Sequence, residues 1–167
     1  MASRTANQTV HFSQAALITP VLAYFENVGI PIDKYLAQAD ISQGLVLDPA
    51  TPIPRPLIFR FINAVCLGEG IEDIGLLVGQ TASLQLMGEF GELLLGASSI
   101  SEYLERGCRF ISTASSGDFY WLMPAEREGY TCFCASVSGM SEDDAVQNYL
   151  YVLFITINTI RGAVGST

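Results

Sequence analysis

Histidine and positive charge are what this sequence has least of. It contains one histidine, His11, and 8 lysines and arginines against 17 aspartates and glutamates, which give a formal net charge of −9. A nucleic-acid interface needs clustered basic side chains that release counterions from the phosphates. The few basic residues here are scattered along the chain, so we expect that it does not bind DNA by itself.

Catalytic patterns are also missing. A catalytic nucleophile needs a base beside it, and the single histidine lies in an N-terminal segment that we expect to be loose. Glu89 and Glu92 are close in sequence, but at a helix start they favour the helix dipole and solvent rather than an acid–base pair. We therefore predict no catalytic residue and no enzymatic activity.

The cysteines offer little for a metal or a cofactor. All four lie in apolar segments, which is typical of reduced core thiols: Cys66, Cys108, Cys132 and Cys134. Cys132 and Cys134 would point the same way on a strand, but no further cysteine or histidine follows at a spacing that suits zinc. We predict core thiols, no metal site and no cofactor.

Long apolar runs are absent as well. Residues 1–14 lack the apolar centre of a signal peptide, and the most apolar run, residues 149–157, is shorter than the roughly 20 residues of a membrane span. Half of the residues are hydrophobic and 15% are charged, a composition typical of a globular domain. We expect a cytoplasmic protein that does not enter a membrane.

The hydrophobic period predicts an α+β fold whose N-terminal half is mostly helical. Residues 1–12 read as a flexible lead-in, and residues 13–167 as a single domain. Ser13 is a candidate cap for the first helix, and Pro20 predicts a kink or a late start in it. Four prolines within residues 48–56 indicate an extended connection. Helices are predicted at residues 13–27, 33–39, 56–67, 72–82, 90–95 and 100–113.

The period changes after residue 117. Residues 118–123 and 130–138 are rich in aromatic and β-forming side chains and predict a β-hairpin. Ser141 and Asp144 then form a capping box for a long apolar helix that continues to about Arg161. Such a helix is normally covered all round, and a lone hairpin is marginal in water. We expect that either further chain follows Thr167 or a second copy covers these elements as a homodimer.

The segment 86–111 resembles a known family. Gly88, Gly91 and Gly96 punctuate an apolar helix, a small-residue break follows at residues 97–99, and an amphipathic helix resumes at Ser101. With the Gly-Leu-Leu-Val-Gly segment that begins at Gly75, this pattern resembles the N-terminal effector domain of AraC/XylS-type bacterial transcription regulators, in the arabinose-binding-like branch.

The resemblance implies a function and leaves alternatives open. It implies a sensor domain that binds a small-molecule effector and passes the event to a helix-turn-helix domain, which has no counterpart in this sequence. DNA would then be bound only through that separate domain. The alternatives are a self-associating dimerisation domain without a ligand and an enzyme of unknown chemistry.

The hairpin and the long helix carry the candidate ligand-binding residues. Small-molecule sites are mostly apolar and aromatic, with a few polar groups. Arg109 precedes the hairpin and could pair with a carboxylate. The other interpretation is that the aromatic side chains only fill the core. Because the candidate residues include few polar side chains, a sugar is disfavoured as the ligand. The predicted ligand-binding residues are Arg109, Phe119, Trp121, Phe133, Asn148 and Tyr151.

Overall fold

The computed structural model describes residues 9–164, over which the chain forms eight α-helices and four short strands. The predicted α+β class is confirmed, and residues 1–8 of the predicted lead-in lie outside the described residues. The strands are β1 (Phe12–Gln14), β2 (Pro52–Pro54), β3 (Asp118–Pro124) and β4 (Thr131–Val137). The helices are α1 (Thr19–Asn27), α2 (Ile32–Gln38), α3 (Gln43–Leu47), α4 (Arg55–Glu69), α5 (Ile74–Thr81), α6 (Gly88–Leu95), α7 (Ile100–Ala114) and α8 (Glu142–Val164).

The N-terminal region is less helical than predicted. Ser13 lies in β1, which pairs antiparallel with β2, so the prediction that Ser13 caps a helix was wrong. Residues 15–17 form a 3₁₀ turn, and α1 starts only at Thr19. The late start that Pro20 predicted is confirmed, because a proline in the first turn lacks only an N–H that has no partner there anyway.

The hairpin and the two helices beside it form where the local sequence predicted them. β3 and β4 pair antiparallel from Asp118 opposite Val137 to Pro124 opposite Thr131. Ser141 Oγ accepts from the backbone N–H of Asp144 at 3.1 Å, so the predicted cap of α8 by Ser141 is confirmed. The Asp144 carboxylate accepts from the Ser141 hydroxyl at 2.7 Å, whereas in a capping box it would accept from the Ser141 backbone N–H. Ser99 caps α7 in the same way, accepting from the N–H of residue 102 at 3.1 Å.

The two cysteines of the hairpin lie on its outer face. Successive side chains of a strand point to opposite faces, and Cys132 and Cys134 share the outer face with Trp121, which lies directly opposite Cys134. Cys132 is exposed and Cys134 is only half-buried. The prediction of two core thiols was therefore wrong for Cys132.

The core consists of two clusters joined along α5 and α8. One cluster packs α1, α2, α4 and α5 around Phe25 and Phe61, whose rings meet edge to face at 5.9 Å. The other packs α6, α7 and α8. A Cβ on Gly75 would collide with the Gln147 carbonyl oxygen, and one on Gly79 would lie 2.8 Å from Cβ of Phe154. The two glycines therefore let α5 approach the backbone of α8.

The long helix is not covered on every side. Val146, Tyr149 and Leu153 of α8 are 54%, 40% and 49% exposed. Their spacing places them on one outward face, away from α5. Among residues 9–164, no helix is apolar over enough of its length to cross a bilayer.

Candidate ligand site

A cavity of about 140 Å³ lies where the two core clusters meet the hairpin. Its size is close to that of an engineered apolar cavity of about 150 Å³ that holds benzene. Its walls come from β1, β3, β4 and most of the helices, and they are largely apolar. The apolar lining includes Leu17, Ile18, Val21, Ile58, Ile74, Val78, Leu84, Met87, Phe90, Leu94, Ile111, Tyr120, Phe133, Tyr151, Val152 and Ile155.

The hairpin supplies an aromatic wall. The Tyr120 and Phe133 rings meet edge to face with their centroids 5.4 Å apart. Burial, and secondarily the nearby Asp118 carboxylate, raises the pKa of Tyr120 well above its ordinary value. Burial likewise raises the pKa of Tyr151, which faces the cavity from α8. Both phenols are therefore neutral at physiological pH.

One face of α8 supplies the opposite wall, and most of its polar groups have partners. Gln147 accepts from the backbone N–H of Gly75 at 2.9 Å and donates to the Glu72 carbonyl at 3.3 Å. The Asp144 carboxylate accepts from the side chain of residue 63 at 3.0 Å. Asn148 differs, because its Nδ2 is buried and has no hydrogen-bond partner within residues 9–164. A buried donor of this kind is available to a ligand.

The polar end of the cavity is built around Arg55, which is 2% exposed. Its Nε donates to Ser13 Oγ at 3.3 Å and its Nη2 to Ser115 Oγ at 2.7 Å. Its Nη1 donates to the Ser138 carbonyl at 2.7 Å. Nη2 also forms an ion pair with Asp118 Oδ1, which accepts no hydrogen bond of normal geometry from the part of the chain described.

This cluster connects segments that are far apart in sequence. Arg55 at the start of α4 joins β1 to Ser115 at the end of α7 and to the two ends of the hairpin, at Asp118 and at Ser138 just after β4. A buried charge is tolerated only when it is paired and hydrogen-bonded, so Arg55 and Asp118 depend on each other. The sequence analysis missed both residues. Arg55 follows a proline at a helix start and Asp118 begins a strand, and no spacing relates the two.

The six predicted ligand-binding residues are brought together only in part. Phe133, Asn148 and Tyr151 line the cavity. Phe119 and Trp121 are 57% and 44% exposed on the outer face of the hairpin. Because strand side chains alternate, the inward position of Tyr120 places both of its neighbours outside.

Arg109 also lies outside the cavity. The cavity-lining residues of α7 include Gly107 and Ile111, which lie on one face of the helix, and Arg109 lies on the other. Its guanidinium rests over the ring of the adjacent Phe110, 5.3 Å from the centroid, and the side chain is exposed. Ligand binding by any of the six residues stays a prediction.

The chain matches a family model. The model of a family described as the arabinose-binding domain of AraC transcription regulators, N-terminal, matches residues 29–167. No curated protein matches the chain. The matched range contains α2 to α8 and the hairpin, and thus every wall of the cavity except the part contributed by β1, the 3₁₀ turn and α1.

Proposed function

The chain belongs to the family of N-terminal arabinose-binding domains of AraC transcription regulators, and on this premise we propose that its cavity binds the effector of a cytoplasmic bacterial regulator. The family is one of ligand-binding regulatory domains rather than of enzymes. The observation that carries the proposal is the apolar cavity between the hairpin and α8. Phe133, Asn148 and Tyr151 line it, and Asn148 offers a donor without a partner.

We further propose that α8 passes the binding event to a separate C-terminal helix-turn-helix domain. Asn148 and Tyr151 belong to α8, so a ligand in the cavity touches this helix directly. A ligand shifts an equilibrium only if it binds one arrangement better than the other. Because the backbones of α5 and α8 are in contact at Gly75 and Gly79, we expect α8 to move together with α5. With a net charge of −9, this chain leaves DNA binding to the other domain.

Filling the cavity tests the proposal. Val152 lines the cavity from α8, whereas Val28, which directly follows α1, is 53% exposed. A screen of metabolites would first identify an effector that raises the thermal stability of the chain. Val152→Phe should abolish this stabilisation, and Val28→Phe should preserve it. Equal loss in both variants, or a screen in which no metabolite stabilises the wild type, contradicts the proposal.

We also propose a homodimer, on a separate observation. The outward face of α8 (Val146, Tyr149 and Leu153) and the outer face of the hairpin leave large apolar side chains in solvent. Contiguous apolar patches usually mark interaction sites. Leu153→Glu should therefore convert the dimer to a monomer in sedimentation, whereas Leu67→Glu, on a residue of α4 that is 85% exposed, should not. A wild type that stays monomeric at high concentration contradicts the dimer.

The same faces favour a second candidate function, a dimerisation domain without a ligand. The two functions differ in what the cavity does. For a domain that only self-associates, Val152→Phe changes neither dimerisation nor the regulation exerted by the full-length protein. For a sensor, the same substitution removes the response to effector and leaves the dimer intact.

A further inference from the structure

The volume of the cavity limits the size of its ligand. About 140 Å³ accommodates a single ring or a short branched chain. A nucleotide, a disaccharide or a long-chain fatty acid needs more space than this. The edge-to-face pair of Tyr120 and Phe133 presents aromatic surface to the cavity, and aromatic rings favour offset or edge-on contact with another ring. Size and lining together favour a compact apolar body.

Each charged side chain that lines the cavity is ion-paired or hydrogen-bonded. The charges belong to Arg55, Asp118 and Asp144, and their formal sum is −1. Arg55 is ion-paired with Asp118. Asp144 accepts hydrogen bonds from Asn63 and from its own helix cap at Ser141, in the first turn of α8 where the helix dipole favours a carboxylate. An anion in the cavity would lose its hydration and meet no free positive charge. A cation would lose its hydration and find only the Asp144 carboxylate, whose oxygens are already hydrogen-bonded, so a neutral ligand is favoured.

The two asparagines of α8 differ in whether their amide donors have partners. Asn158 on the same helix donates from Nδ2 to the carbonyls of Gly79 and Gln80, at 3.1 and 2.9 Å. Asn148 Nδ2 has no such partner within residues 9–164. The terminal torsion of an asparagine is broad, so this amide can turn toward an acceptor in the cavity. The wall of the cavity is otherwise largely apolar, so a molecule with many hydroxyls, such as a sugar, would leave most of them unpaired.

We propose that the ligand is a small neutral molecule with a single-ring or branched apolar body, whose one oxygen accepts a hydrogen bond from Asn148 Nδ2. The apolar body packs against Tyr120 and Phe133, and the oxygen faces α8. This ligand class rests on the proposed function, because it assumes that the cavity is the effector site.

A series of matched probes tests the ligand class on the chain itself. Benzyl alcohol and ethylbenzene have nearly the same shape, and only the alcohol carries an acceptor. Benzylamine adds a positive charge, benzoate a negative one, and L-arabinose several hydroxyls. By calorimetry, benzyl alcohol should bind about tenfold more tightly than ethylbenzene, the worth of one hydrogen bond to a buried donor. The two ions and the sugar should bind more weakly than either.

Two substitutions test whether Asn148 causes the preference for benzyl alcohol over ethylbenzene. In Asn148→Leu the preference should reverse in favour of ethylbenzene, because the buried hydroxyl of benzyl alcohol then has no partner. Ethylbenzene should still bind, and a thermal melt should show a folded chain. Asn158→Ala, on an amide that is already occupied, should keep the tenfold preference. A preference that persists in Asn148→Leu overturns the role of Asn148.

The remaining outcomes separate this inference from the proposed function. If benzoate, benzylamine or arabinose binds more tightly than benzyl alcohol, the ligand class is wrong and the cavity remains the effector site. The same conclusion follows if none of the five probes binds at millimolar concentration but Val152→Phe still abolishes the stabilisation by the effector. Undiminished probe binding by Val152→Phe places the ligand elsewhere and overturns the proposed function as well.

Discussion

Replacing Asn148 by leucine should stabilise the ligand-free domain, although it removes a polar residue that we assign to the ligand site. The Nδ2 of Asn148 is buried without a partner within residues 9–164. Leaving a buried donor unsatisfied costs about 1–3 kcal/mol. Leucine has a similar volume, donates nothing and packs against the apolar lining. Because part of the asparagine side chain reaches solvent, we expect the lower end of this range, about 1 kcal/mol.

The matched control is Asn158→Leu on the same helix. Asn158 donates to two carbonyls of α5, so its removal leaves both without that partner and should destabilise the domain by about 1–2 kcal/mol. The gain in helix propensity from asparagine to leucine is shared by both variants. Their difference therefore isolates the hydrogen bonds.

Thermal and urea unfolding measure both effects. For a domain of this length a change of 1 kcal/mol shifts Tm by roughly 2–4 °C, so Asn148→Leu should raise Tm by about that amount and Asn158→Leu should lower it by a similar amount or more. The urea m-values should stay unchanged, since neither substitution alters the surface exposed on unfolding. If Asn148→Leu lowers Tm as much as Asn158→Leu, Asn148 has a structural partner and our reasoning about the site fails.

Three further predictions concern the buried ion pair, pH and the hairpin. Arg55→Met leaves Asp118 buried without its partner and should destabilise the domain by about 3–5 kcal/mol in urea unfolding. Adding Asp118→Leu to this variant should restore much of the lost stability. If the losses from the two substitutions add instead, the two residues do not depend on each other. Hydrogen bonds from Ser98 lower the pKa of Glu102 from an ordinary 4.5 to about 2. A lowered folded-state pKa gives stability that is present above the unfolded pKa and lost as pH falls through the folded one. Between pH 4.5 and about 2, the Tm of the wild type should therefore fall more steeply than that of Glu102→Gln. Parallel curves of Tm against pH would contradict the effect. Trp121→Ala should leave effector affinity within about twofold, because the indole is 44% exposed on the outer face; a large loss in calorimetry would place the ligand against the outer face of the hairpin.

Much of the fold could be predicted from residues a few positions apart. The apolar period located seven of the eight α-helices of residues 9–164 and missed α3. Pro20 delayed the start of α1, and Ser141 capped α8 as expected. These signals are local because a cap, a proline or an amphipathic turn acts through neighbours within about one helical turn. The change of period at Asp118 located the hairpin for the same reason.

The candidate site could be predicted only in part, because its geometry depends on contacts between distant segments. Strand alternation separates Trp121 from Tyr120, but the local sequence does not say which of the two faces the interior, since both faces of this hairpin carry aromatic residues. That choice follows from the packing of α7 and α8 on one side of the hairpin. Arg55 and Asp118 are each unremarkable in their own segments and become an ion pair only when the β1–β2 pairing places α4 beside the hairpin. A buried charge is stable only beside its partner, and that partner is brought to it by the folded chain as a whole.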